Sequence, residues 1–341
     1  MPRTCLFLLL VIPTAFFAQA SNTELPPPYQ PAASVAGEIR TWGNDEMAAL
    51  ITLWQKGFRK YHPNVQFKDR LMGPASAMAG IYTGVADFSL MGHELLKEES
   101  MAFEWVFHYQ PLGIEVATAS LDVHSNNATL VVFVHKANPV SKLSLAQLGA
   151  IYGAEHKTGR KNIRTWGDLG LTGDWADKPI HVYGYAPASE AGSYFRQRVL
   201  EDRHKWNCEL KEFENAQLST GKTVDAGGQI LEALAKDRQG IAYAKLLYAN
   251  SQVKPLALVG ASGLPIEPTK MNVQLRRYPL TRAMKVYLNR DPAKPLDPKL
   301  NEFLRYILSA EGQQAVLDEG GYLPLSSTTA LEQCRKLEPG K

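Results

Sequence analysis

The chain has 341 residues, of which 45% are hydrophobic and 21% charged, an ordinary balance for a globular protein. Lysine and arginine number 37 against 34 acidic residues, for a formal charge of +3. An excess that small, with no basic stripe and no aromatic-plus-arginine platform, excludes a nucleic-acid partner.

The first residues read as an export signal. Arg3 is a short basic start, an apolar run follows over 5–17, and Ala18-Gln19-Ala20 puts small residues where a signal peptidase reads. Residues 1–20 are therefore predicted to be a cleavable signal peptide, with Ser21 the first mature residue and the periplasm the compartment. The run is shorter than the ~20 apolar residues a spanning helix needs. Cys5 lies inside it and no cysteine follows the small residues, which argues against a lipid anchor. Cleavage leaves about 320 residues, the length of two ordinary domains. It also leaves Cys208 and Cys334, which in an oxidising compartment either pair or remain two thiols; spacing does not decide which. No cysteine or histidine cluster surrounds them, so neither reads as a metal ligand or a nucleophile. Residues 21–36, with Pro26, Pro27, Pro28 and Pro31, are predicted to be an extended tether.

Residues 38–42 alternate and end at Gly43, a strand entering a turn. Asn44 and Asp45 are both good helix N-caps. Behind them Met47, Leu50, Ile51, Trp54, Phe58 and Tyr61 recur at helical spacing as one apolar stripe, which Pro63 stops. A strand over 65–67 follows. The unit then repeats in outline: a loop over 71–76, a short helix through Met78 and Ile81 ending at Gly84, and a buried strand over 87–91. Such alternation predicts α/β architecture with mostly parallel pairing. Further on, 128–134 is a β-branched run fit for a central strand, 143–151 a short helix, and 180–183 another strand. A helix then carries Phe195, Val199 and Leu200 on one side. A helix over 230–235 and a strand or turn over 240–243 come next. The segment 278–282 introduces a strand over 284–288. The last helices carry Leu300, Phe303, Leu304, Ile307 and Leu308, then 311–319, ending at Gly320-Gly321.

Six stretches in order carry a family resemblance. They are Gly43-Asn44-Asp45-Glu46-Met47, Gly84-Val85-Ala86-Asp87-Phe88-Ser89, Asn138-Pro139-Val140, Trp166-Gly167-Asp168-Leu169, Tyr278-Pro279-Leu280-Thr281-Arg282 and Ser309-Ala310-Glu311-Gly312-Gln313-Gln314. Together they resemble the phosphate-binding proteins of bacterial ABC importers, within the type II periplasmic binding-protein superfamily. The resemblance implies an α/β protein of two lobes joined by a hinge, each a mostly parallel sheet flanked by helices. Lobe one would comprise 37–127 and a return segment 251–330, lobe two 128–250, and 331–341 a tail. It further implies a monomer that captures a small anion, phosphate or another oxyanion or an organic anion, between the lobes. An inner-membrane ABC permease would be the partner, with no cofactor, no metal and no catalysis.

Such a cleft can hold an oxyanion without metal, through amides at helix N-termini and hydroxyl donors. Three loop-to-helix junctions suit this: 43–47, 73–76 and 189–193. The candidate ligand residues are Asn44, Asp45 and Glu46; Gly73, Ala75 and Ser76; Gly92 and His93; and Ser189, Gly192 and Ser193. Asn44 and Asp45 serve equally well as caps, as does Ser189. Tyr183 reads as core, and Tyr185 as either core or cleft wall. The side chains depart from the family. Asp45-Glu46 stands where the family places Ser or Thr, Pro74 removes a backbone donor, and Gly92-His93 replaces an acceptor Asp or a basic residue. No arginine precedes Ser189, although arginine grips phosphate through paired charge-assisted bonds. Glu46 or Glu190 beside the ligand would repel a dianion. The alternative is a ligand-free sensor or interaction module, favoured if Glu46 and Glu190 enter the cleft with no compensating cation. Enzyme signatures are missing: no Gly-x-Ser-x-Gly, HExxH, CxxC or GxGxxG occurs. Gly221-Lys222-Thr223 ends like a phosphate loop, but Ala216 stands at the leading glycine.

Overall fold

The computed structural model describes residues 25–125, 127–154, 161–201, 203–217, 223–260 and 262–338. The expected signal peptide and Gly221-Lys222 lie outside the described residues.

β1 (Gly37–Gly43) alternates between closed and open positions, and Asn44 caps the short turn Asp45–Met47 that leads into α1 (Ala48–Phe58). Met47, Leu50, Ile51, Trp54 and Phe58 of the predicted stripe are buried, because helical spacing puts them on one side. Tyr61 lies beyond the helix and is 40% exposed. There follow β2 (Val65–Arg70), α2 (Ala75–Tyr82), β3 (Phe88–Met91), α3 (Lys97–Phe107) and β4 (Leu112–Ala119). The chain then crosses to a second sheet with β5 (Leu130–His135), buried at every position. Next come β6 (Lys142–Ser144), α4 (Leu145–Tyr152), β7 (His181–Tyr185) and α5 (Glu190–Val199). After β8 (Lys211–Phe213) a small hairpin, β9 (Ala216–Gln217) and β10 (Thr223–Val224), leads to α6 (Ala226–Leu234) and β11 (Gly240–Lys245). β12 (Val253–Pro255), β13 (Ala257–Val259), β14 (Pro265–Ile266) and α7 (Lys270–Gln274) complete this half. The chain returns with β15 (Ala283–Leu288), α8 (Pro298–Ile307), α9 (Ala310–Glu319), β16 (Tyr322–Leu323) and α10 (Ser327–Arg335).

The first sheet has the order β16-β4-β15-β3-β1-β2 and the second β12-β5-β11-β7-β8, each with its own apolar core. Both sheets are mixed. Strands joined through a helix pair in parallel, β1 with β2 and β3, β7 with β8 and β11, because such a connection returns the chain in the same sense. Strands arriving from farther along the chain run the other way. β15 is antiparallel to both β3 and β4, and β5 is antiparallel to β11 and β12.

Two expected boundaries move. β12 pairs with β5, and β13 with β6, so 253–266 belongs to the second half and the return comes only at Ala283. The tail predicted from 331 is the end of α10, whose Gln333 Oε1 accepts from the Glu115 amide of β4. The proline segment is extended but anchored. Tyr29 is buried against Phe58, Tyr61 and Tyr306; its hydroxyl donates to Glu302 at 2.6 Å and lies 2.8 Å from His62 Nε2. The Ala310 amide donates to the Pro27 carbonyl. One aromatic ring with a polar tip is enough to dock a segment whose prolines already hold it extended. Cys208 and Cys334 are both free thiols.

The parallel pairing fixes where a site can form. β1, β2 and β3 end at one edge of the first sheet, and β7, β8 and β11 at one edge of the second. Open α/β sheets bind ligands outside such carboxyl ends. Between the halves run two crossing segments, 120–125 with 127–129 and 277–282; the Ala119 amide at the end of β4, where the first begins, donates to the Arg282 carbonyl of the second at 3.0 Å.

Candidate functional site

On the first-sheet side, Asn44 is fully buried. Its Oδ1 accepts from the Glu46 amide at 3.0 Å, and its Nδ2 donates to Asn127 Oδ1 in the first crossing at 3.2 Å. Gly92 fits tightly against this pair: a Cβ there would lie 2.2 Å from Asn127 Oδ1. Glu46 is bonded to the same crossing, its Oε2 accepting from Ser125 Oγ at 2.6 Å. Asp45 is exposed. In the second loop, Ser76 Oγ donates to the Gly73 carbonyl at 2.7 Å and Ala75 is exposed. Among the described residues the hydrogen bonds of 73–76 stay within that loop and its helix.

On the second-sheet side, Ser189 caps α5: its Oγ accepts from the Gly192 amide at 3.1 Å and donates to the Ala186 carbonyl at 2.7 Å. Gly192 lies so close to the preceding turn that a Cβ would meet the Ala186 carbonyl at 2.2 Å. Ser193 Oγ reaches back toward the Pro187 carbonyl. The carboxyl ends of β7, β8 and β11 border a cavity of about 330 Å³ lined by Tyr185, Ser189, Glu190, Phe213, Asn215 and Lys245. The Lys245 ammonium is buried, paired with Asp225 at 2.6 Å, and donates to the His124 carbonyl of the first crossing. Burial pushes the Tyr185 hydroxyl well above the usual phenol range, so it stays neutral. Tyr183 is core, as read from the sequence, with its hydroxyl donating to Asp237.

The two sides meet at Arg282, in the second crossing. Its side chain is fully buried. Nε donates to the Gly92 carbonyl at 2.9 Å, Nη2 donates to Glu190 Oε1 at 2.7 Å, and the guanidinium lies 4.7 Å over the Tyr194 ring. Burial raises the Tyr194 hydroxyl to about 12, and that hydroxyl donates to the Thr281 carbonyl. Glu190 thus does have a compensating cation. His93 lies elsewhere: its Nδ1 bonds the Glu94 carbonyl, and it lines a separate cavity of about 240 Å³ with Glu115, Arg198 and Arg276.

Residues 29–311 match the model of the PBP superfamily domain. The phosphate-binding protein PstS of Pseudomonas aeruginosa is 33% identical over 313 residues, covering 91% of this chain and 90% of that protein. The chain belongs to the PstS family. Solved structures share the fold: PstS from Borrelia burgdorferi at 16% identity, TM-score 0.58, covering 84% of this chain and 98% of that one. An ABC-type phosphate transport receptor from Vibrio cholerae is 18% identical, TM-score 0.56, covering 84% and 99%.

Within this PstS-family fold, the candidate residues divide. Asn44, Glu46 and Gly92 gather around the first crossing; Ser189, Gly192 and Ser193 gather at the start of α5. Loop 73–76 and His93 make no bond to either group among the described residues. Sequence reasoning looked for an arginine upstream of Ser189 and missed Arg282. That residue closes one of the six family stretches, and an arginine directly before an apolar strand was the signal that could have marked it. Lys245, ending the buried strand β11, carried the same kind of signal and was also missed. Among the described residues no helix is long and apolar enough to cross a membrane, and no group of three or more histidine, cysteine or acidic side chains could hold a metal.

Proposed function

We propose that this protein is an extracytoplasmic solute-binding protein serving an ABC importer of the phosphate type, with its solute held between the two lobes. The observation that carries the proposal is the 330 Å³ cavity at the start of α5, lined from the second half and linked to the first crossing by the Lys245 ammonium donating to the His124 carbonyl. The cavity lies at strand carboxyl ends, where this architecture binds ligands, and its volume falls at the small end of ordinary ligand pockets. Of the first amides of α5, Gly192 and Ser193 are taken up by Ser189, and those of Glu190 and Ala191 remain to offer donors to an anionic group. The Tyr185 and Phe213 rings offer an apolar wall beside them. Of the two solute classes expected, this lining favours an organic anion, a carboxylate with a small apolar body, over a bare oxyanion. Hinge motion about the two crossings would close the lobes over it. No catalytic step is part of the proposal.

Titration calorimetry of the exported protein tests it, with phosphate, sulfate and molybdate against a panel of small carboxylates. Saturable heat with a carboxylate, accompanied by a smaller radius of gyration, is expected. Absence of heat with every solute would sink capture.

A second reading, an interaction module without ligand, draws on α3. There Met101, Trp105 and Val106 stand open, Trp105 at 77% exposure, beside Glu98 and Glu104. Co-purification with a membrane kinase in place of a permease would favour it.

A further inference from the structure

We infer that Glu190 closes this cleft to multivalent inorganic oxyanions, serving as a built-in counter-anion to Arg282. This rests on the cleft being the solute site.

Among the described residues, Lys245 is the cation in the cavity lining and Arg282 stands behind the lining residue Glu190, and each already has a carboxylate. Arg282 has Glu190 at 2.7 Å and Lys245 has Asp225 at 2.6 Å. Glu214 also lines the cavity and is exposed. Among the described residues, the lining and the partners directly behind it therefore hold two cations, Lys245 and Arg282, against three carboxylates, Glu190, Glu214 and Asp225. To reach the Arg282 guanidinium, which is fully buried behind Glu190, inorganic phosphate, with between one and two negative charges at neutral pH, would have to displace that carboxylate. It would then stand beside the displaced carboxylate. Both steps oppose binding. Glu190 is also the first residue of α5, so its charge already answers the positive end of that helix. A monoanionic solute with an apolar body can bind to the cavity wall without taking Arg282 from Glu190.

Removing this one carboxylate reverses the balance. Among the described residues two cations then stand with two carboxylates, and the fully buried Arg282 loses its salt bridge to Glu190. An oxyanion entering beside α5 takes the vacated place, meeting a guanidinium and the helix's first amides together. Glu190 is in this sense a specificity-determining residue of the solute site.

The test is calorimetry with inorganic phosphate at constant ionic strength on the whole exported protein and three variants: E190Q, E190A and E190A/R282M. The wild type is expected to give no saturable heat up to about 1 mM. E190Q and E190A should bind phosphate at least roughly tenfold more tightly than that limit, and E190A/R282M should return to wild-type behaviour. E190Q keeps the shape and a hydrogen bond, so it stays informative if E190A fails to fold. Three results would overturn the inference: wild type and E190Q binding phosphate alike, a folded E190Q with no gain, or a double variant that keeps the gain. A carboxylate titration of the wild type, run in parallel, reports on solute capture independently of all three.

Discussion

The Arg282–Glu190 pair is asymmetric, and its energetics can be predicted from that asymmetry. Arg282 has no exposed side-chain surface, whereas the Glu190 side chain is 19% exposed. In the variant Glu190→Ala, the guanidinium stays in its buried position and loses its carboxylate, and solvent reaches it only through the space the side chain vacates. Breaking a buried pair in this direction costs about 3–5 kcal/mol. In Arg282→Met, the carboxylate can turn toward the cavity and hydrate, and the methionine fills the space over Tyr194. The loss is then that of charge-assisted hydrogen bonds, roughly 1.5–3 kcal/mol. Charge centres about 4 Å apart at an effective dielectric near 20 interact by up to about 4 kcal/mol, and partial exposure of Glu190 reduces that to about 2–3. The double variant should accordingly cost less than the two single variants together, by about 2–3 kcal/mol. Urea denaturation of all four proteins, followed by tryptophan fluorescence, measures the cycle. Additivity within about 0.5 kcal/mol, or Arg282→Met costing more than Glu190→Ala, would refute the reasoning.

Gly192→Ala would place a Cβ 2.2 Å from the Ala186 carbonyl, so α5 must shift at its first turn. Stability should fall by about 1–3 kcal/mol, and carboxylate binding should weaken with it; unchanged affinity would separate α5 from the site. His62 is held below its ordinary 6.5 by burial, which outweighs the opposite pull of the Glu302 carboxylate. The unfolded chain takes up this proton first, so stability is full above about pH 6.5 and is lost as pH falls through the lower folded value. His62→Phe should flatten thermal melting against pH in that window, and an unaltered slope would count against it. Asp168 is lowered to about 2 by the Arg164 and Thr165 amides donating to it. Its contribution is present above the ordinary carboxylate range and disappears as pH falls through about 2. Asp168→Asn should therefore be less stable than wild type at pH 7, with the gap closing in acid.

Local rules in the sequence determined the elements. The stripe from Met47 to Phe58, the caps at Asn44 and Ser189, and the buried run through β5 are legible because periodicity and capping act within a few residues. The family stretches extended that reading to a two-lobed architecture. What the tertiary structure decided is which groups meet. Arg282 finds partners 92 and 190 residues away, and Tyr29 reaches Glu302 across 273. Strand 253–255 joined the second sheet, and 257–259 and 265–266 a small sheet with β6, because pairing, which no local pattern encodes, assigned them there. Ser76, Ser189 and Ser193, candidate donors in the sequence, turn their hydroxyls to carbonyls of their own loops. A hydroxyl's direction depends on the nearest acceptor in space, and a buried arginine's partner depends on how two distant crossings close. Both are set only when the chain has folded.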